Sequence, residues 1–89
     1  MVQADDGTPN PAPAVELFST SWCPYCKQAR DFFRSRGIPF ADYDIEKDPS
    51  ALRRKMKIDG HRRVPTAIIG GKVVQGYSPA AYQEAVKHL

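Results

Sequence analysis

The sequence predicts an α/β domain: one four-stranded mixed sheet with three helices, in the order β-α-β-α-β-β-α. Three observations lead there. Short apolar runs of strand character alternate with segments of helical period. Asp48-Pro49 and Ser78-Pro79 each pair a capping side chain with a proline at the first helical position. Gly70-Gly71 lies between two strand-like runs, the mark of a tight hairpin. A βαβ start crosses over right-handedly and gives parallel strands, and the hairpin and closing helix complete a sheet covered on both faces.

Each element has its own signal. Val15, Leu17 and Phe18 form the first strand, which ends at Ser19-Thr20-Ser21. Cys26, Ala29, Phe32 and Phe33 recur at helical spacing and place the first helix directly after Cys23. Gly37 closes that helix, and Arg34 and Arg36 in its last turn suit the dipole. Pro39 to Ile45 reads as the second strand, with Phe40, Tyr43 and Ile45 as its bulky members. On the second helix Ala51, Leu52 and Met56 are expected inward, with an end by Gly60. Thr66 to Ile69 and Lys72 to Gln75 are the hairpin strands. Ser78 caps the last helix, whose apolar stripe is expected to run through Ala81, Tyr82, Ala85, Val86 and Leu89.

The 89 residues leave room for one domain and one core, and a hydrophobic content of 42% is that of a folded chain. Residues 1–14 hold Gly7, Pro9, Pro11 and Pro13 with no apolar periodicity, so they read as a flexible tail or linker, with the domain over 15–89. No apolar run approaches the roughly 18 residues of a membrane span. The N-terminus lacks the basic start and apolar stretch of a secretory signal. A cytoplasmic protein is expected, the alternative being an exported or periplasmic module tethered by the Pro/Ala segment. The net charge of +3 is modest, and no nucleic-acid partner is expected, because the basic run is short and carries no interleaved aromatics.

The chemistry lies in Cys23-Pro24-Tyr25-Cys26. A bridge between cysteines so close together closes almost no loop and stabilises little, so reactivity explains the pair better than structure does. A cysteine attacks a disulfide as thiolate, and a position just before a helix offers unpaired N–H groups and the positive dipole end to hold that anion. Pro24 fits the first turn because its missing N–H has no partner there anyway. Cys26, one turn on, is placed to attack the Cys23 sulfur and release a mixed disulfide. Cys23 is therefore the expected exposed nucleophile and Cys26 the buried resolving thiol, with Trp22 and Tyr25 flanking them. A structural zinc site needs about four ligands, and His61 and His88 do not complete one, so no metal is expected. Two inert core thiols are a poor fit to a strand-to-helix junction.

These residues resemble the glutaredoxin family of the thioredoxin superfamily. Cys23-Pro24-Tyr25-Cys26 is identical to the motif of dithiol glutaredoxins, and Val64-Pro65 stands before the third strand as it does there. The resemblance covers roughly Val15 to Leu89. It implies a thioredoxin-like fold, disulfide exchange through Cys23 and Cys26, no bound cofactor, glutathione as co-substrate, and a monomer acting on glutathione or disulfide-containing proteins. It also implies a cis Val64-Pro65 bond, as only proline makes cis accessible, with the Val64 backbone offered to a substrate strand.

Other positions depart from that pattern. Thr20 stands where glutathione users carry Lys, and Arg63 where they carry Thr. The family's Gly-Gly-acid rim is replaced by Gly76-Tyr77-Ser78-Pro79, in which Gly76 alone matches. Gly-aromatic-x-Pro and Trp22 look more like NrdH-type redoxins, which thioredoxin reductase reduces. The implied binding rim is thus Trp22, Tyr25, Arg63, Val64, Pro65, Gly76 and Tyr77. Arg62 and Arg63 are expected beside the cysteines, to favour the thiolate or hold a carboxylate. Arg53, Arg54, Lys55 and Lys57 read as a solvated helix face. Tyr77 packs into the core by default, and His61 reads as a surface residue or a tuner of Cys23. Alternatives are an iron–sulfur-binding module, in which two copies share one cluster and which Pro24 disfavours, and a non-catalytic adaptor of a longer chain.

Overall fold

A computed structural model describes residues 13–89. The expected tail therefore lies outside the described residues except for Pro13 and Ala14. Ala14 O accepts a hydrogen bond from Gly70 N–H at 2.8 Å, which ties it to the hairpin turn. The elements are β1 (Val15–Ser19), α1 (Pro24–Ser35), β2 (Ala41–Asp44), α2 (Pro49–Asp59), β3 (Thr66–Ile69), β4 (Lys72–Gln75) and α3 (Pro79–Val86). The strands lie in the order β2-β1-β3-β4, with β1 parallel to β2 and the other two pairings antiparallel. This is the expected mixed sheet.

Alternation along the strands separates two cores. Val15, Leu17, Ala67 and Ile69 meet α1 and α3 through Ala29, Phe32, Phe33, Tyr82 and Ala85. Within that layer Phe33 stacks on Tyr82, with ring centroids 5.3 Å apart, and Phe32 meets Tyr82 edge-on at 5.4 Å. On the opposite face Phe18 packs with Ile45 and with Ala51 of α2. The helix starts follow their capping chemistry: Asp48 Oδ1 accepts from Ser50 N–H and Ala51 N–H, and Ser78 Oγ accepts from Ala81 N–H. Gly70 and Gly71 have φ of 56° and 86°, the left-handed conformation that a two-residue hairpin turn requires.

Three expectations need correction. The second strand is shorter than Pro39 to Ile45, since pairing with β1 starts at Ala41 and stops at Asp44. Leu89 does not extend the apolar stripe of α3; the helix ends at Val86 and Leu89 is half exposed. The inward face of α2 is also different. Met56 is exposed at 41%, whereas Lys55, assigned to a solvated face, is buried at 0%. Lys55 lies one turn beyond Ala51, so the packing geometry takes it inward, and its charge is met there by Asp59 at 2.9 Å.

Candidate active site

The short link between β1, which ends at Ser19, and α1, which starts at Pro24, places the cysteines at a helix N-terminus by the end of the strand. Cys23 is the cap itself, with extended backbone, and Cys26 N–H donates to its Sγ at 3.2 Å. That is the contact by which a helix end holds a thiolate. Cys23 is less open than expected: it is 6% accessible, because the neighbouring side chains and the Val64 loop wrap it. It still borders the groove, whereas Cys26 is 0% accessible and does not. Both are free thiols.

Burial pushes the Cys26 thiol up to about 12, and a hydrogen bond and charge from Cys23 push the same way. The Thr20 backbone and the Arg30 charge oppose them. Two of the three raising influences come from Cys23, so they are relieved once the Cys23 sulfur is capped in a mixed disulfide. Arg30 is fixed close by: Nε pairs with Asp42 at 2.6 Å, and Nη2 donates to Ser19 Oγ and Thr20 O, each at 2.9 Å.

A groove of roughly 850 Å³ opens beside Cys23. Trp22 and Tyr25 line it from the α1 end, and Arg62, Arg63 and Val64 from the loop before β3. Ile45, Glu46 and Leu52 add to its lining. Trp22 is 67% exposed, yet its Nε1–H donates to Glu46 Oε1 at 3.0 Å, which orients the indole. Thr20 Oγ1, also at the groove, is the one buried side-chain polar atom without a partner among the described residues.

The Val64-Pro65 bond is cis, and Val64 O stands 4.0 Å from Cys23 Sγ. Gly76 N–H donates to Pro65 O at 2.8 Å, so Gly76 braces the back of this loop. Of the residues expected at the rim, Trp22, Tyr25, Arg63 and Val64 therefore gather around Cys23 in the groove. Pro65 and Gly76 support it from behind. Tyr77 does not join them, because its ring is drawn into the aromatic cluster at 5.2 Å from Tyr82 and 6.4 Å from Phe32. Nor does His61 form part of the groove lining; its ring faces Lys55 and Asp59. Glu46 and Leu52 were not foreseen in the sequence. Nothing in the local pattern marks an acid as the hydrogen-bond partner of an indole so far along the chain.

Comparison with known proteins decides the family. The glutaredoxin family model matches residues 15–74, most of the domain. The chain belongs to the glutaredoxin family. A glutaredoxin of Pseudomonas aeruginosa is 30% identical over 72% of this chain and 76% of its own length. A glutaredoxin-like protein from the rubredoxin operon of Clostridium pasteurianum is 23% identical over 82% of this chain and 97% of its own. Among solved structures, the glutaredoxin of Archaeoglobus fulgidus superposes with a TM-score of 0.72 at 29% identity, covering 84% of this chain and 87% of that one. The NrdH-redoxin of Escherichia coli shares the fold, with a TM-score of 0.68 at 20% identity over 79% of this chain and 91% of that one. The fold is thus thioredoxin-like, and the chain is a thiol–disulfide redox protein of the glutaredoxin family.

Proposed function

We propose that this glutaredoxin-family protein reduces protein disulfides and small mixed disulfides by dithiol exchange, with Cys23 attacking and Cys26 resolving. The observation that carries the reading is the asymmetry of the pair. Cys23 caps α1 at the edge of the groove with the Cys26 N–H on its sulfur, and Cys26 lies behind it, closed to solvent.

In the first step the Cys23 thiolate attacks one sulfur of a substrate disulfide. A mixed disulfide forms and the other substrate sulfur leaves as thiolate. Capping the Cys23 sulfur relieves its hold on Cys26, which attacks Cys23 Sγ as its proton passes to the departing substrate sulfur. The Cys23–Cys26 disulfide forms and the second substrate sulfur leaves as thiol, so the substrate gains the two electrons that the cysteine pair loses. Two external thiols then reverse the exchange and restore the dithiol.

Glutathione is the proposed donor of those thiols. The cationic wall of Arg62 and Arg63 supports it by offering charge to a carboxylate. A second reading, reduction by thioredoxin reductase in the manner of an NrdH-type redoxin, is favoured by the other side of the rim. There Tyr77 is packed away and no acid follows Gly76 to meet an α-amino group. We place the protein in a reducing compartment, as a monomer, where exchange runs toward reduction.

The deciding experiment compares turnover of hydroxyethyl disulfide with glutathione against insulin reduction with thioredoxin reductase. Activity in the first alone supports glutathione, and activity in the second alone supports the reductase. Silence in both overturns the oxidoreductase reading.

A further inference from the structure

The buried charge on α2 joins the last residue of that helix, Asp59, to the loop that follows it. Lys55 Nζ donates to Asp59 Oδ1 and Oδ2 at 3.1 and 2.9 Å and to His61 O at 2.7 Å. Asp59 in turn accepts from His61 N–H at 3.2 Å, from Thr66 Oγ1–H at 2.9 Å and from Gln75 Nε2 at 3.3 Å. His61 and Thr66 bracket Arg62, Arg63, Val64 and Pro65. Both ends of the loop that faces Cys23 are therefore tied to a single ion pair.

The middle of the loop is held as well. Arg63 N–H donates to His61 Nδ1 at 3.1 Å, and Lys55 Nζ lies 3.3 Å from the same nitrogen. With two donors converging on it, Nδ1 is an acceptor and the ring proton sits on Nε2, which is 3.6 Å from Asp59 Oδ2. A charge taken fully out of water costs free energy that a methionine of similar length would not. What the fold gains is a fixed direction for the Arg63 and Val64 backbone.

We propose that Lys55, through Asp59 and His61, is a positioning residue for polypeptide disulfides: it holds the Arg62–Val64 wall in the geometry that an extended substrate segment pairs with. This rests on the disulfide-exchange reading and deepens it by naming the substrate class the wall serves. A polypeptide can pair its own backbone with Val64, whereas hydroxyethyl disulfide has no backbone to pair. Lys55 reaches neither the cysteines nor the groove, so its loss should separate the two kinds of substrate.

The test is single-turnover oxidation of the reduced protein by a peptide disulfide and by hydroxyethyl disulfide, with amide exchange at Arg63 and Val64 and the alkylation rate of Cys23. Wild type is compared with Lys55→Met and with His61→Ala, which removes the Arg63 acceptor without stranding a buried charge. For both variants the half-saturating peptide concentration should rise about fivefold to tenfold, the worth of a hydrogen bond. Arg63 exchange should quicken, while hydroxyethyl disulfide and alkylation rates stay within about twofold. If Lys55→Met does not fold, the His61→Ala comparison decides. Unchanged peptide saturation, or an equal loss on both disulfides, overturns the proposal. A wild-type protein that oxidises with neither disulfide defeats the redox reading instead; Arg63 exchange then judges the clamp, and unchanged exchange in the variants overturns it too.

Discussion

Alkylation of the reduced protein at pH 7 should mark Cys23 and spare Cys26, and the size of the difference follows from burial. With its thiol pushed up to about 12, Cys26 is ionised in only about one molecule in 10⁵ at pH 7. A thiol at the ordinary value of 9.0 would be ionised in about one in 100. Ionisation alone therefore slows Cys26 by about a thousandfold against an unfolded thiol, and its 0% accessibility slows it further. Iodoacetamide followed by tryptic mass mapping reads this directly. Folded protein should carry one label, on Cys23, and protein in concentrated urea should carry two. In Cys23→Ala the hydrogen bond and charge that help to raise Cys26 are gone, so Cys26 should react faster than in wild type, yet still slower than in urea. Labelling of Cys26 in the folded protein at a rate within tenfold of Cys23 would refute the reasoning, because the resolving thiol would then be neither buried nor held protonated.

Two further outcomes follow from the packing. Burial alone would raise the Asp59 carboxyl, but hydrogen bonds from Lys55, the His61 backbone, Thr66 and Gln75 outweigh it and hold it at about 2. A carboxyl lowered in the folded state stabilises above its unfolded value, 3.8, and that contribution disappears as pH falls through 2. Urea denaturation should therefore find wild type ahead of Asp59→Asn by roughly 2 kcal/mol more at pH 6 than near pH 2; an equal gap at both pH values would count against the clamp. Phe33→Ala removes a fully buried ring stacked on Tyr82, and denaturation followed by circular dichroism should show a loss of roughly 3–5 kcal/mol. A loss below about 1 kcal/mol would mean that the α1–α3 layer is not the main core.

Much of the frame was legible because local chemistry and the fold agree. Asp48-Pro49 and Ser78-Pro79 begin helices for capping reasons that need no tertiary contact. Cys23 and Cys26 were readable because their spacing fixes one helical turn. The α2 misassignment has a physical origin. Lys55 is a charged residue at an inward position, and periodicity with Ala51 competed with charge as a guide to its direction. The Asp59 carboxylate one turn on, with Thr66 and Gln75 arriving from the hairpin, is what makes burial tolerable. Of these partners Asp59 alone stands at helical spacing from Lys55. The Trp22–Glu46 bond and the Arg30–Asp42–Ser19 cluster join distant segments in the same way, so they emerge once β1, β2 and α1 are assembled. Tyr77 shows the converse: core packing is the default reading of its sequence and is what the ring does against Phe32 and Tyr82, whereas the rim position implied by the resemblance is not taken up.

The division of labour between the two thiols is tested most directly by trapping the first covalent step. Reduced Cys26→Ser, mixed with a peptide disulfide, should accumulate one peptide adduct per chain, and mass mapping should place it on Cys23. Cys23→Ser should form none, and wild type should pass to the internal disulfide with the peptide released. An adduct on Cys26, or equal adduct formation by both variants, would contradict the assignment of Cys23 as nucleophile and Cys26 as resolving thiol.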